Sequence, residues 1–349
     1  MKKSLLALAV LSAFAGAASA QSSVTLSGRV DAGVIRAGGA YGLGGSQSGY
    51  NALTVSGVED LGGGMRAFFS ANHRFAIGTG AVFTPGATFW RQAWVGLGGG
   101  FGDIRLGKML MPLQDMNGNY DAFDTGYVAS THTGGIFATI RATNAIYYRT
   151  PSMGGFFVHA AIAAADNQIP GECQFNLGTA ATGGPSVVRN CFGNSTAASI
   201  NAAERPIGFA AGYAAGPLRL GLAYDRNGAD DKTIGLYGGF NAGFANLMAQ
   251  YEKGDRGPAA DVARWSISAK VPVGAVTFKA GYTKWSDEDV SKFGLGLQYD
   301  LSKRTNIYTN MGKFSGDGNG IGTNDLGTTA AIRDTNKKTR FDIGVTHAF

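Results

Sequence analysis

The chain has 349 residues, 55 of them glycine, and only 15% are Asp, Glu, Lys or Arg, against a usual ~25%. A net charge of +6 without a run of lysine or arginine excludes a nucleic-acid-binding face, so no nucleic acid is expected as a partner. Two cysteines are too few for a disulfide scaffold.

In chain order, the first predicted element is a leader. Lys2 and Lys3 form a basic start, residues 5–15 are apolar, and Ala18-Ser19-Ala20 fits a cleavage site. The pattern predicts a secretory signal peptide over 1–20, cut before Gln21, and one domain over 21–349. After residue 20 no stretch is apolar over the ~20 residues that a spanning helix needs. The remainder is then either soluble outside the inner membrane or a membrane β-barrel. Composition alone fits a secreted β-sandwich or β-solenoid as well as a barrel.

The dominant signal is period two, the spacing of a strand with two unlike faces. Val24, Leu26, Val30 and Val34 alternate with Thr25, Ser27, Arg29 and Asp31. Leu218, Leu220, Leu222 and Tyr224 alternate with Arg219, Gly221, Ala223 and Asp225. The same pattern recurs at 264–271, 276–283 and 292–299. It closes the chain, where Phe341, Ile343, Val345 and Phe349 share one parity. The strands run about ten residues, the length that crosses a bilayer when tilted.

Short turns are predicted at 59–64, 98–102, 151–155, 215–217, 241–243, 272–274 and 300–304. Longer polar segments fall at 38–50, 77–87, 110–141, 167–205, 226–231, 253–261, 285–289 and 316–338. The alternation implies an all-β fold, a 16-stranded antiparallel transmembrane β-barrel. Its short turns are periplasmic and its long loops extracellular. Sixteen strands leave an aqueous channel, whereas about eight would fill it with side chains.

No catalytic constellation stands out, so no enzyme activity and no cofactor are expected. His73, His132, His159 and His347 lack metal-ligand spacing, and His159 and His347 read as structural. From Met109 to Ile140 there is no Lys or Arg but three aspartates, Asp115, Asp121 and Asp124. Arg66, Arg74, Arg91 and Arg105 precede this segment, and Arg141 and Arg149 follow it. An acidic loop inside a barrel, opposite a basic wall, would set a transverse field that selects ions. An ordinary surface loop beside solvated arginines is the other reading.

The residues 21–31, 59–64, 91–97, 101–108, 141–144, 151–156, 301–305 and 347–349 resemble, in order, the general porins of β-proteobacteria, including the neisserial porins. The resemblance implies a homotrimeric outer-membrane porin whose third loop, here 110–141, folds inward as the eyelet. It implies Asp121 and Asp124, with Asp115, at the constriction and Arg91 and Arg141 on the facing wall, joined by Arg29, Arg66 and Arg149. It implies a terminal aromatic, Phe349, that serves as the assembly signal read by the barrel-assembly machinery, and a surround of outer-membrane lipid and lipopolysaccharide. Where the family commonly carries arginine, this chain has Ala52 and Ser56, which removes two positive charges from the expected cluster.

The expected function is passive diffusion of small hydrophilic solutes and ions. Cys173 and Cys191, in the long fourth loop, are expected to form an extracellular disulfide, with two free thiols as the alternative. A substrate-specific channel with a lumenal site, or a barrel adhesin acting through 167–205 and 316–338, are the alternative readings.

Overall fold

The computed structural model describes residues 22–37, 40–45, 51–82, 89–126, 128–131, 140–163, 205–227, 231–255, 261–286, 290–315 and 339–349. The leader, the Cys173–Cys191 pair and the loops 167–204 and 316–338 lie outside them. Seventeen strands occur among the described residues. They are β1 (Ser23–Ala37), β2 (Ala40–Gly44), β3 (Asn51–Gly62), β4 (Met65–Phe75), β5 (Trp90–Gly99), β6 (Gly102–Leu110), β7 (Arg141–Arg149) and β8 (Phe156–Ala163). There follow β9 (Ile207–Ala215), β10 (Leu218–Arg226), β11 (Lys232–Asn241), β12 (Asn246–Asp255) and β13 (Val262–Val273). The last are β14 (Val276–Trp285), β15 (Val290–Asp300), β16 (Thr305–Ser315) and β17 (Thr339–Ala348).

Sixteen of these form a closed antiparallel ring. β1 pairs with β3 from Ser23↔Val58 to Arg29↔Ala52. Each later strand then pairs with the next, and β17 returns to β1 from Arg29↔Ala348 to Arg36↔Phe341. The extra strand corrects the sequence reading of 38–50 as a loop. β2 folds back on the upper end of β1, from Gly33↔Gly44 to Ala37↔Ala40. It therefore continues the line of β3 along the same edge.

Phe349 completes the seam beyond the last strand. Its amide donates to the Gly28 carbonyl and its carbonyl accepts from the Gly28 amide, each over 3.1 Å. Ring closure pairs both edges of each of the sixteen ring strands, which removes the edges that could recruit another chain.

The barrel is apolar outside and polar inside, the reverse of a soluble protein. Ile267 and Val95 are more than half exposed on the outer face. Asp31, Glu252 and Asp342 have no exposure at all, and Lys292 and Arg264 are 1% exposed. On β14 the inner row is Lys279, Gly281 and Thr283, and the outer row includes Phe278 and Tyr282. Buried ions persist because they are paired: Arg264 Nη2 donates to Glu252 Oε2 over 2.7 Å. On the outer face, each leucine-sized side chain gains about 1.5–3 kcal/mol by leaving water for hydrocarbon.

Candidate functional site

After β6 the chain turns into the barrel. Met111 donates its amide to the Ile140 carbonyl over 3.0 Å, which pinches the loop base. A short helix, α1 (Pro112–Asn117), follows, with proline in its first turn, where the missing N–H costs nothing. A 3-10 turn (Gly118–Tyr120) continues it. The Leu113 amide donates to Asp225 Oδ1 of β10 over 3.4 Å. Asn117 Nδ2 donates to Gln250 Oε1 of β12 over 3.0 Å and also to Glu252. Gln250 Nε2 returns a bond to the Tyr120 carbonyl over 2.6 Å. Farther on, Ala122 N donates to Ser268 Oγ of β13. Lys292 Nζ of β15 donates to the Ser130 carbonyl over 2.9 Å, and Arg264 donates to the Thr131 carbonyl. Residues 111–126 and 128–131 thus line the inner faces of β9 to β16.

Apolar contacts accompany these bonds. Leu113, Met116, Tyr120 and Phe123 pack with Ala210, Ala223, Tyr237 and Met248 in one buried cluster. The wall receives the loop on glycine. A Cβ at Gly294 would lie 2.9 Å from Ala129 Cβ and closer still to the Ala129 carbonyl. A Cβ at Gly312 would overlap the Val128 carbonyl. Backbone can approach backbone this closely only where no side chain intervenes.

The three aspartates have different surroundings. Asp121 is 3% exposed and turned into the loop itself. It accepts from the amides of Phe123 (3.2 Å), Thr125 (2.9 Å) and Thr131 (3.1 Å), and from the hydroxyls of Ser130 (2.5 Å) and Thr131 (2.8 Å). These bonds hold a strained tip, in which Asp124 and Thr125 have φ of 52° and 63°. Left-handed backbone is costly for a β-branched residue. Asp124 is half exposed, with Lys270 Nζ at 2.5 Å and Lys279 Nζ at 3.4 Å. Both lysines stand on the wall behind the loop.

Asp115, on α1, meets Tyr147 Oη of β7 at 3.4 Å and His159 Nδ1 of β8 at 3.5 Å, and those two lie 2.6 Å apart. Asp115 keeps 42% of its side chain exposed to the lumen. Enclosure by the barrel raises its carboxyl above the ordinary value, against the pull of Arg105, Arg149 and the Tyr147 phenol.

The facing wall belongs to β1 and β3–β7. Arg29 aligns with Ala52, and Ala52 with Arg74, so the alanine sits between two arginines. Arg74, Arg91, Lys108 and Arg141 are buried and gather at the long-loop ends of β4–β7. Arg91 reaches the inside through a β-bulge. By strict alternation it shares the parity of Val95 and Leu97, which face outward. Between Asn72↔Gln92 and His73↔Trp90 one residue of β5 is extra, and it is Arg91, 1% exposed. Arg66 and Arg149 lie apart, near the short turns. Arg66 is ion-paired with Asp103, and Arg149 sits over the Phe157 ring at 5.6 Å.

The expected basic cluster is therefore two clusters, joined by Arg74, Lys108 and Arg105. Lys270, Lys279 and Lys292 are the residues that sequence reasoning missed. Their signal was their place on the polar parity of otherwise apolar strands. Among the described residues, no group of three or more His, Cys, Asp or Glu side chains is arranged to hold a metal ion.

Comparison with known proteins gives consistent matches. The family model described as Gram-negative porin matches residues 7–319. Outer membrane porin protein 32 of Delftia acidovorans is 33% identical, with both chains covered in full. An outer membrane porin protein of Bordetella pertussis is 29% identical, again over the whole of both chains. Among solved structures, the anion-selective porin from Comamonas acidovorans has a TM-score of 0.68 at 29% identity, covering 94% of this chain and all of that one.

Proposed function

This chain belongs to the Gram-negative porin family and forms an outer-membrane channel for passive diffusion of small hydrophilic solutes, and from that premise we propose that its constriction favours anions. The observation that carries the proposal is the placement of Asp124 against Lys270 and Lys279. The negative side of the transverse field is compensated from behind the loop. Asp121 is compensated within it. Across the passage stand Arg29, Arg74, Arg91, Lys108 and Arg141, and a ring of cationic side chains favours anions. The structural relative described as anion-selective supports the same reading.

The remaining assignments belong to this proposal. Asp115 and Asp124 face the passage, and Asp121 fixes the loop that narrows it. Residues 1–20 are a leader removed on export. Three copies assemble in outer-membrane lipid and lipopolysaccharide, the barrel-assembly machinery reads Phe349, and Cys173 and Cys191 are bridged outside the cell. Such a channel performs no chemistry. Purified protein in a planar bilayer tests the reading. Stepwise ohmic conductance is expected, and a reversal potential on the anion side in a KCl gradient. A cation-side reversal potential overturns the selectivity, and Phe349 deletion with normal assembly overturns its role as a signal.

A further inference from the structure

The lipid-facing wall of β8–β12 is not smooth. Two neighbouring register rows cross it. One runs Tyr213, Leu220, Gly238 and Ala249; the next runs Ala211, Leu222, Leu236 and Tyr251. Gly238, Ala249 and Ala211 are too short to reach the level of Leu222, Leu236 and Tyr251, which stand out on the same face. The result is an apolar hollow of about 650 Å³. A Cβ added at Gly238 would meet no atom within 4 Å, so the hollow is open above that residue.

Beyond the hollow, at the long-loop end, the same outward parity turns basic. Register places Arg226 beside Lys232 and Lys232 beside Asp255, with Lys253 one row nearer the hollow. Arg226 Nη2 donates to the carbonyl of the exposed Arg205 over 3.4 Å. Lys253 Nζ lies 3.3 Å from Asp261 Oδ2, and both side chains are about half exposed. An exposed pair of this kind contributes little, so a stronger anion can displace the carboxylate. Among the described residues, Arg205, Arg226, Lys232 and Lys253 stand against Asp255 and Asp261 at this end, two positive in excess. A phosphate monoester carries about −1.5 to −2 at neutral pH. Tyr224 and Tyr251 lie between the cations and the floor of the hollow, at the level that aromatic rings take at a membrane interface.

We propose that this face holds one phosphorylated glycolipid of the outer leaflet, the lipid A part of lipopolysaccharide, with a phosphate at Lys232 and Lys253 and an acyl chain in the hollow. The spacing fits. Gly238 is six residues from Lys232 along β11, ~20 Å of strand and ~15 Å of depth at the usual barrel tilt. One leaflet of hydrocarbon is also ~15 Å deep, half of the ~30 Å core. Within lipid the hollow offers no hydrophobic gain, because acyl chains are as apolar as leucine. It offers shape, since a chain lying in it restores contacts that an unfilled hollow lacks. The inference rests on the outer-membrane reading and assigns that membrane's lipid a fixed place on the barrel.

The test uses full-length protein refolded in detergent without lipopolysaccharide. It is titrated with lipid A carrying both phosphates, with the same lipid A stripped of them, or with phosphatidylethanolamine, and bound lipid is counted by native mass spectrometry. Saturation at one lipid A per chain is expected, with half-saturation roughly tenfold below that of either other lipid. G238L fills the hollow without a clash and should raise the lipid A half-saturation roughly fivefold. Its conductance should match the wild type, because Gly238 faces away from the passage. K232Q/K253Q should raise the half-saturation as much for lipid A and leave the stripped lipid unchanged. The wild-type comparison of the three lipids decides on its own, even where a variant fails to assemble. Equal binding of lipid A and its stripped form, or lipid A binding unchanged in both variants, overturns the inference. So does loss of the oligomer in lipid-free G238L, which would assign the face to a second copy of the chain. Absence of any ohmic current from the wild type would instead overturn the channel itself.

Discussion

Ser130 donates its hydroxyl to the Asp121 carboxylate over 2.5 Å, and the bond joins the two limbs of the inward loop across its tip. With four further donors on the same carboxylate, Asp121 is the loop's internal clamp.

Asp121→Asn should therefore loosen the loop and leave the field of the passage little changed. Losing charge-assisted bonds to buried donors costs about 1–3 kcal/mol. Single-channel records should show more frequent conductance fluctuations. The reversal potential should move less than in Arg91→Ala; an equal movement would place Asp121 in the passage instead.

Arg91→Ala should weaken anion preference. The bulge delivers this guanidinium to the inner face, so its removal lowers the positive potential there directly. The change in reversal potential should be largest at low salt and shrink toward 1 M, where the Debye length falls to about 3 Å. A salt-independent or absent change would be incompatible with an electrostatic role.

The position of Gly312 gives a steric prediction. Gly312→Val puts a branched side chain where the Val128 carbonyl lies. The loop should lift from β15 and β16 while the ring still closes, because the β16 backbone pairing is untouched. Larger unitary conductance with normal assembly is expected. Unchanged conductance would show that the loop docks without this contact.

Asp115 adds a dependence on pH. Its carboxyl is raised above the ordinary aspartate value, so it takes up a proton earlier than a free aspartate as pH falls. Protonation removes one negative charge near Arg105 and Arg149. Anion preference should rise as pH falls through that range, and Asp115→Asn should show the higher preference throughout, without the step. A step that persists in the variant would assign it to another group.

Much of this was legible in the sequence, and the misses have physical causes. Period two shows strands because lipid and water demand opposite residues on the two faces, as along Phe278–Thr283. β2 escaped because Ala-Tyr-Gly-Leu-Gly has too little side chain to show alternation. Arg91 was placed from resemblance, since its parity alone sends it outward, and the bulge that reverses it has no sequence signature. Asp121 and Asp124 looked equivalent, both acidic and close together in the chain. What separates them is the left-handed tip and the partners Lys270 and Lys279, 146 and 155 positions from Asp124. Period-two reading does not reach that far.

The inward loop also divides the chain into two territories. Most of its support runs from β9 to β16, with Ile35 of β1 against Val128 and with Tyr147 of β7 and His159 of β8 beside Asp115, and the charged wall it faces lies on β1 to β7. Substitutions on the early strands away from Ile35 and Tyr147 can retune permeation without disturbing the shape of the opening. The inner glycines of the later strands cannot change unless residues 111–131 change with them. A chimera that takes its first strands and loop from one relative and its later strands from another inherits the charge of the first parent, and it has a formed opening only if the second parent's glycines fit that loop.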